Sequence, residues 1–72
     1  MKKILYLEIY EYVIDKIKHK QWLPSFKIPS KRKLSEAFNV SLITVATALE
    51  QLESEGYIYS KERVGYFVCD IE

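Results

Sequence analysis

Two helix-length apolar patterns lie between Pro29 and Gly56, and only Asn39 and Val40 separate the first from the cap of the second. A connection that short forces a sharp turn in which the two apolar stripes bury each other, the helix-turn-helix arrangement. In the second pattern Val45, Ala48, Leu49 and Leu52 step by three, one and three, the period of a single helical face. Ser41 offers an oxygen to the unpaired amides of the first turn, and Gly56 stands where a left-handed residue ends a helix without steric cost. A helix over about 42–55 follows, with Thr44 and Thr47 off its apolar stripe.

The first pattern is shorter. Pro29 prevents an earlier helix start, and Ser30 caps a helix expected over about 31–38. Leu34, Ala37 and Phe38 are expected to face inward, leaving Lys31, Arg32, Lys33 and Glu36 in water. A plain αα-hairpin of a small bundle would show the same patterning, so the flanking segments decide.

Upstream, Tyr6, Ile9, Tyr10, Val13, Ile14 and Ile17 form a wide apolar face on a first helix expected over about 4–20. Lys16, Lys18 and Lys20 crowd its last turn, where the helix dipole favours cations. Trp22 is expected in the core, and Phe26 to Ile28 alternate as a short strand would. Downstream the period changes: Tyr57 to Lys61 and Val64 to Cys69 are rich in strand formers, with a turn between them. A β-hairpin over about 57–70, directly after a helix-turn-helix, is a wing, and its tip carries Lys61 and Arg63. A simple bundle does not end in a hairpin. The fold class is therefore mainly α with a small β-hairpin, a three-helix winged helix-turn-helix forming one domain.

Charge is unevenly placed. The net charge is only +1, yet residues 16–33 hold seven bases and no acid, and residues 34–60 hold four acids and no base. Such a basic belt suits a phosphate backbone, which rewards each Lys or Arg contact by counterion release; it also suits an ordinary solvated face. One histidine, one cysteine and two glycines supply no nucleophile with a base, no metal cluster and no phosphate-cradling loop, so neither an enzyme nor a cofactor is expected. No apolar run approaches the roughly 20 residues that span a bilayer, and a lone Cys69 fits a reducing cytoplasm, where it is expected to act as a small hydrophobe in a strand.

The run Ile28-Pro29-Ser30-Lys31-Arg32-Lys33-Leu34-Ser35, then Val40-Ser41, Thr44-Val45, Ala48-Leu49, Leu52-Glu53, Glu55-Gly56 and Gly65-Tyr66-Phe67-Val68, resembles the N-terminal winged helix-turn-helix domain of the GntR family of bacterial transcriptional regulators. The resemblance covers roughly residues 4 to 68. It implies a regulator, and a repressor in particular, whose recognition helix enters the major groove of double-stranded DNA while the wing reaches the minor groove. Arg32 matches the family's DNA-contacting arginine, Ser41 and Thr44 match hydroxyl positions at the start of the recognition helix, and Gly65 matches the wing glycine. Ser30, Lys31, Leu42, Ile43, Thr47, Lys61 and Arg63 complete the candidate DNA-binding set. The resemblance further implies a homodimer for the complete protein, and a small-molecule effector acting only through an additional C-terminal domain.

The departures from the family pattern are informative. Leu42 stands where an arginine is common and Ala46 at another often basic position, while Lys20, Ser25 and Arg63 replace family glycines. With no Lys or Arg from Leu34 to Ser60, the recognition helix lacks the bidentate guanine contact. Leu42, Ile43 and Ala46 lie off the core stripe. Two readings stay open for them: contact with thymine methyls in A·T-rich sites, or a protein-interaction or dimerisation patch.

Overall fold

The computed structural model describes residues 5–70. Three helices, α1 (Leu5–Lys18), α2 (Lys31–Phe38) and α3 (Leu42–Ser54), precede two strands, β1 (Ile58–Lys61) and β2 (Gly65–Val68). The strands pair antiparallel with Ile58 opposite Val68 and Lys61 opposite Gly65. This is the expected winged helix-turn-helix.

Each helix boundary has a local cause. Ser30 Oγ accepts from the Lys33 amide and Ser41 Oγ from the Thr44 amide, satisfying one orphan donor at the start of α2 and of α3. All three helices end alike. Lys20, Asn39 and Gly56 take left-handed conformations (φ 58, 55 and 87°), and the amide one residue beyond each donates five residues back: Gln21 to Lys16, Val40 to Ser35, Tyr57 to Leu52. The expected end of the first helix at residue 20 is thereby corrected to Lys18: the left-handed Lys20 cannot continue an α-helix. The expected first position, residue 4, lies outside the described residues.

The core joins all the elements. Ile9 and Val13 of α1, Leu34 of α2, and Val45, Ala48, Leu49 and Leu52 of α3 are buried together with Trp22, Ile28, Ile58 and Val68. Trp22 is in the core as expected, its ring stacked on Phe26 and edge-on to Tyr12. Ala37 is not: it is exposed, whereas Leu34 is buried and Phe38 half-buried. In a helix of about 100° per residue, positions three and four apart diverge to opposite sides of the first. In the eight-residue α2 it is Leu34 and Phe38 that turn toward the core, Phe38 lying edge-on to Tyr12 of α1.

The segment before α2 acts as a third strand. Ser25 and Ile28 amides donate to the carbonyls of Val68 and Tyr66, the Val68 amide donates to Phe26, and Lys27 bridges Phe67 antiparallel. The expected short strand at 26–28 is thus a single bridge with flanking hydrogen bonds. These bonds hold Lys27 and the start of α2 against the wing. Cys69 lies just past β2 rather than in it, half-buried, its amide donating to Tyr57. Burial and the nearby Glu53 carboxylate push its thiol pKa up.

Candidate nucleic-acid interface

Because the Ser25–Ile28 segment pins the wing beside α2, and α2 packs across α3, one open groove of about 800 Å³ forms where the three meet. Its first wall is the entry to α2: Lys27, Ser30, Lys31 and Arg32. The second is the wing, with Ser60, Lys61, Arg63, Gly65 and Tyr66. Leu42, Ile43 and Ala46 of α3 lie between them. Five cations and no acid line the groove, and none of the five makes an ion pair with a described carboxylate.

Two of those cations rest on aromatic rings. The Lys31 ammonium lies 5.7 Å from the Tyr66 centroid and the Lys61 ammonium 5.4 Å from that of Phe67. At such distances the ring quadrupole attracts the charge without neutralising it. Tyr66 shares the groove's face of the hairpin and Phe67 the opposite one, so Lys31 is held as an uncompensated charge beside the apolar floor while the Lys61 ammonium is held on the hairpin's outer face.

Two glutamates near the groove are held by hydrogen bonds outside its lining. Toward the C-terminal end of α3, Glu53 accepts from the Ser60 hydroxyl, and just beyond it Glu55 accepts from the Tyr10 phenol and from Gln51. Those bonds lower the Glu55 pKa, Tyr10 contributing most, and the same bond to Glu55 is the main cause that pushes the Tyr10 phenol up to about 12. Only the first half of α3 therefore borders the groove.

Of the candidate residues, Ser30, Lys31, Arg32, Leu42, Ile43, Lys61, Arg63 and Gly65 are brought together in this groove. Ser41, Thr44 and Thr47 are not among its lining. Ser41 Oγ is 3.0 Å from the Thr44 hydroxyl as well as capping its amide, and the Thr47 hydroxyl donates to the Ile43 carbonyl at 3.0 Å, so these polar atoms serve the helix itself. Gly65 has φ 138°, a backbone state side chains rarely adopt, and a Cβ there would meet Lys27 Cε at 3.4 Å.

Sequence reasoning missed Lys27, Ser60 and Tyr66 as groove residues. A period-two reading of the hairpin held the signal: Ser60 and Tyr66 are opposite each other and two residues from the buried pair Ile58 and Val68, hence on the same face of the sheet. Lys27 is legible only from the bridge to Phe67, a contact 40 residues distant in the chain.

Residues 5–68 match the family described as bacterial regulatory proteins, gntR family. The chain belongs to the gntR family. Among its relatives the HTH-type transcriptional regulator YhdI of Bacillus subtilis (strain 168) is 38% identical over 71 residues, covering 99% of this chain and 15% of that protein. The HTH-type transcriptional repressor NagR of the same organism is 36% identical over 64 residues, covering 89% of this chain and 26% of that protein. This gntR-family chain thus spans about a quarter or less of the length of those relatives. In solved structures, the AraR DNA-binding domain in complex with its operator ORE1 superposes with a TM-score of 0.89 at 33% identity, over 96% of this chain and 83% of that one. The match extends through both the helices and the wing, so the groove described above has its counterpart in a family of regulators rather than of enzymes.

Proposed function

We propose that this chain binds double-stranded DNA sequence-specifically as the DNA-binding part of a cytoplasmic transcriptional repressor. The carrying observation is the charge of the groove: five cations from α2, its preceding segment and the wing surround the start of α3, and no acid shares that lining. Lys31 and Arg32 lie in the first turn of α2, where side-chain charge and the helix dipole both favour a phosphate. The start of α3 fits the major groove, and the wing tip with Arg63 extends toward the adjoining minor groove. Ser41, Thr44 and Thr47 act in this reading mainly by holding the helix that carries the reading face. A protein-binding use of Leu42 and Ile43 is disfavoured by the same rim of cations.

Helix-turn-helix proteins usually engage two half-sites as dimers, so the complete regulator is a homodimer in this reading. Control by a small-molecule effector belongs to a C-terminal domain separate from the winged helix. The operator-bound AraR domain and the repressor NagR support the DNA-binding and repressing roles by similarity.

The test is an equilibrium titration of a selected duplex and a scrambled one at two salt concentrations. Preference for the selected duplex, with affinity falling steeply as salt rises, is the expected result. Absence of binding to either duplex at low salt would refute the proposal.

A further inference from the structure

We infer that the face of α3 formed by Leu42, Ile43 and Ala46 reads the C5-methyl groups of pyrimidines along the major groove, accepting 5-methylcytosine in place of thymine. The inference rests on the duplex-binding reading above. Leu42 and Ile43 are 51% and 79% exposed, the latter the most exposed large apolar side chain among the described residues. Ala46 lies three and four residues beyond them, so all three share one side of the helix, and all three line the cationic groove.

That face has little to hydrogen-bond with. The Ser41 and Thr44 hydroxyls bond each other, the Ser41 hydroxyl also accepts from the Thr44 amide, the Thr47 hydroxyl donates to the Ile43 carbonyl, and no Lys or Arg occurs from Leu34 to Ser60. Of the groups a base pair presents in the major groove, the pyrimidine C5-methyl is the one an aliphatic side chain can contact favourably. Exposed aliphatic side chains would equally suit a protein surface, but the charge around them commits the occupant to a polyanion. Phosphate contacts then position the helix, and methyl contacts choose the sequence. Since the apolar face forms no hydrogen bonds to base edges, a T·A pair and a 5-methylcytosine·guanine pair offer it the same methyl group.

The experiment selects duplexes from a random pool with the 72-residue chain and then remakes the preferred site. In one series each thymine is replaced by uracil, which removes the methyl and nothing else; in another a contacted T·A pair becomes C·G or its C5-methylated form. Uracil should weaken binding by about fourfold per contacted methyl, the yield of one buried carbon. The methylated cytosine should bind about fourfold more tightly than the unmethylated one, and Ile43→Ala should bring the ratio at its own position close to one. A site bound with unchanged affinity after every uracil replacement overturns the methyl readout and leaves DNA binding standing. Failure to bind any duplex overturns both. Self-association abolished by Ile43→Glu, with no methyl dependence, also overturns the inference and gives the face to a second copy of the chain.

Discussion

The Lys31 ammonium lies 5.7 Å from the centre of the Tyr66 ring, so the first turn of α2 and the second strand of the wing, the two walls of the groove, touch there. Because the ring holds the charge in place without cancelling it, Lys31 keeps its full value for a phosphate. Replacing Lys31 by Met preserves most of the stem while removing the charge. Binding should weaken by a similar factor on every duplex, and the slope of log affinity against log salt should fall by about 0.9. Arg32→Ala should behave in the same way. Duplex titrations over a salt series measure both, and a change in sequence preference would contradict a backbone role.

Lys20, Ser25 and Arg63 adopt φ values of 58, 71 and 67°, the left-handed region that costs an L-residue about 1–2 kcal/mol. Glycine relieves that strain but gains entropy in the unfolded chain, a partial offset of about 0.5–1 kcal/mol. Lys20→Gly and Ser25→Gly should each raise stability by about 0.5 kcal/mol, or about 2–4 °C in Tm. Thermal melts followed by circular dichroism test this. Asn39, at φ 55°, tolerates the conformation better and should gain less on the same change.

The Tyr10 phenol donates to the Glu55 carboxylate and ties α1 to the end of α3. Glu55 has its pKa lowered in the fold, so its contribution is present above the ordinary carboxylate pKa and is lost as pH falls through the lowered value. Tyr10 is raised to about 12, so the bond contributes below about pH 10 and is lost as pH rises toward 12. The Tm difference between the native chain and Tyr10→Phe should therefore be flat between about pH 5 and 9 and shrink on either side. A difference that does not vary with pH would contradict the assignment.

Leu49 is fully buried at the centre of α3. Leu49→Ala should cost about 2–5 kcal/mol, comparable with the whole stability of a domain this small. Urea unfolding should show a largely unfolded population at 25 °C, and DNA binding should fall with the folded fraction. A stable variant would mean that other contacts hold α3 in place.

The helix-turn-helix was legible because its information is local. Ser30, Ser41, Asn39 and Gly56 mark helix ends by their own chemistry, and the α3 stripe from Val45 to Leu52 is entirely buried. What escaped was set at a distance or against local preference. Lys20 ends α1 in a conformation lysine disfavours, so nothing in its side chain announces it. Ala37 follows the helical period yet stays exposed, because positions three and four beyond Leu34 turn to opposite sides of it and the core takes the Phe38 side. Of the site, Arg32, Leu42, Ile43 and the wing cations could be named from sequence. Tyr66 was readable from the hairpin's period of two, but Lys27 was not, since its place depends on how the segment before α2 pairs with β2.

The central claim is that the cationic groove at the start of α3 is the surface that meets DNA. A matched set of charge reversals tests it most directly: Arg32→Glu and Arg63→Glu within the groove, and Lys18→Glu on α1 outside it, each titrated with the same duplex after its fold is verified. The groove reversals should each weaken binding by at least about tenfold, an energy of about 1.4 kcal/mol, while Lys18→Glu stays within about twofold of the native chain. Equal losses in all three, or loss with Lys18→Glu alone, would contradict the account.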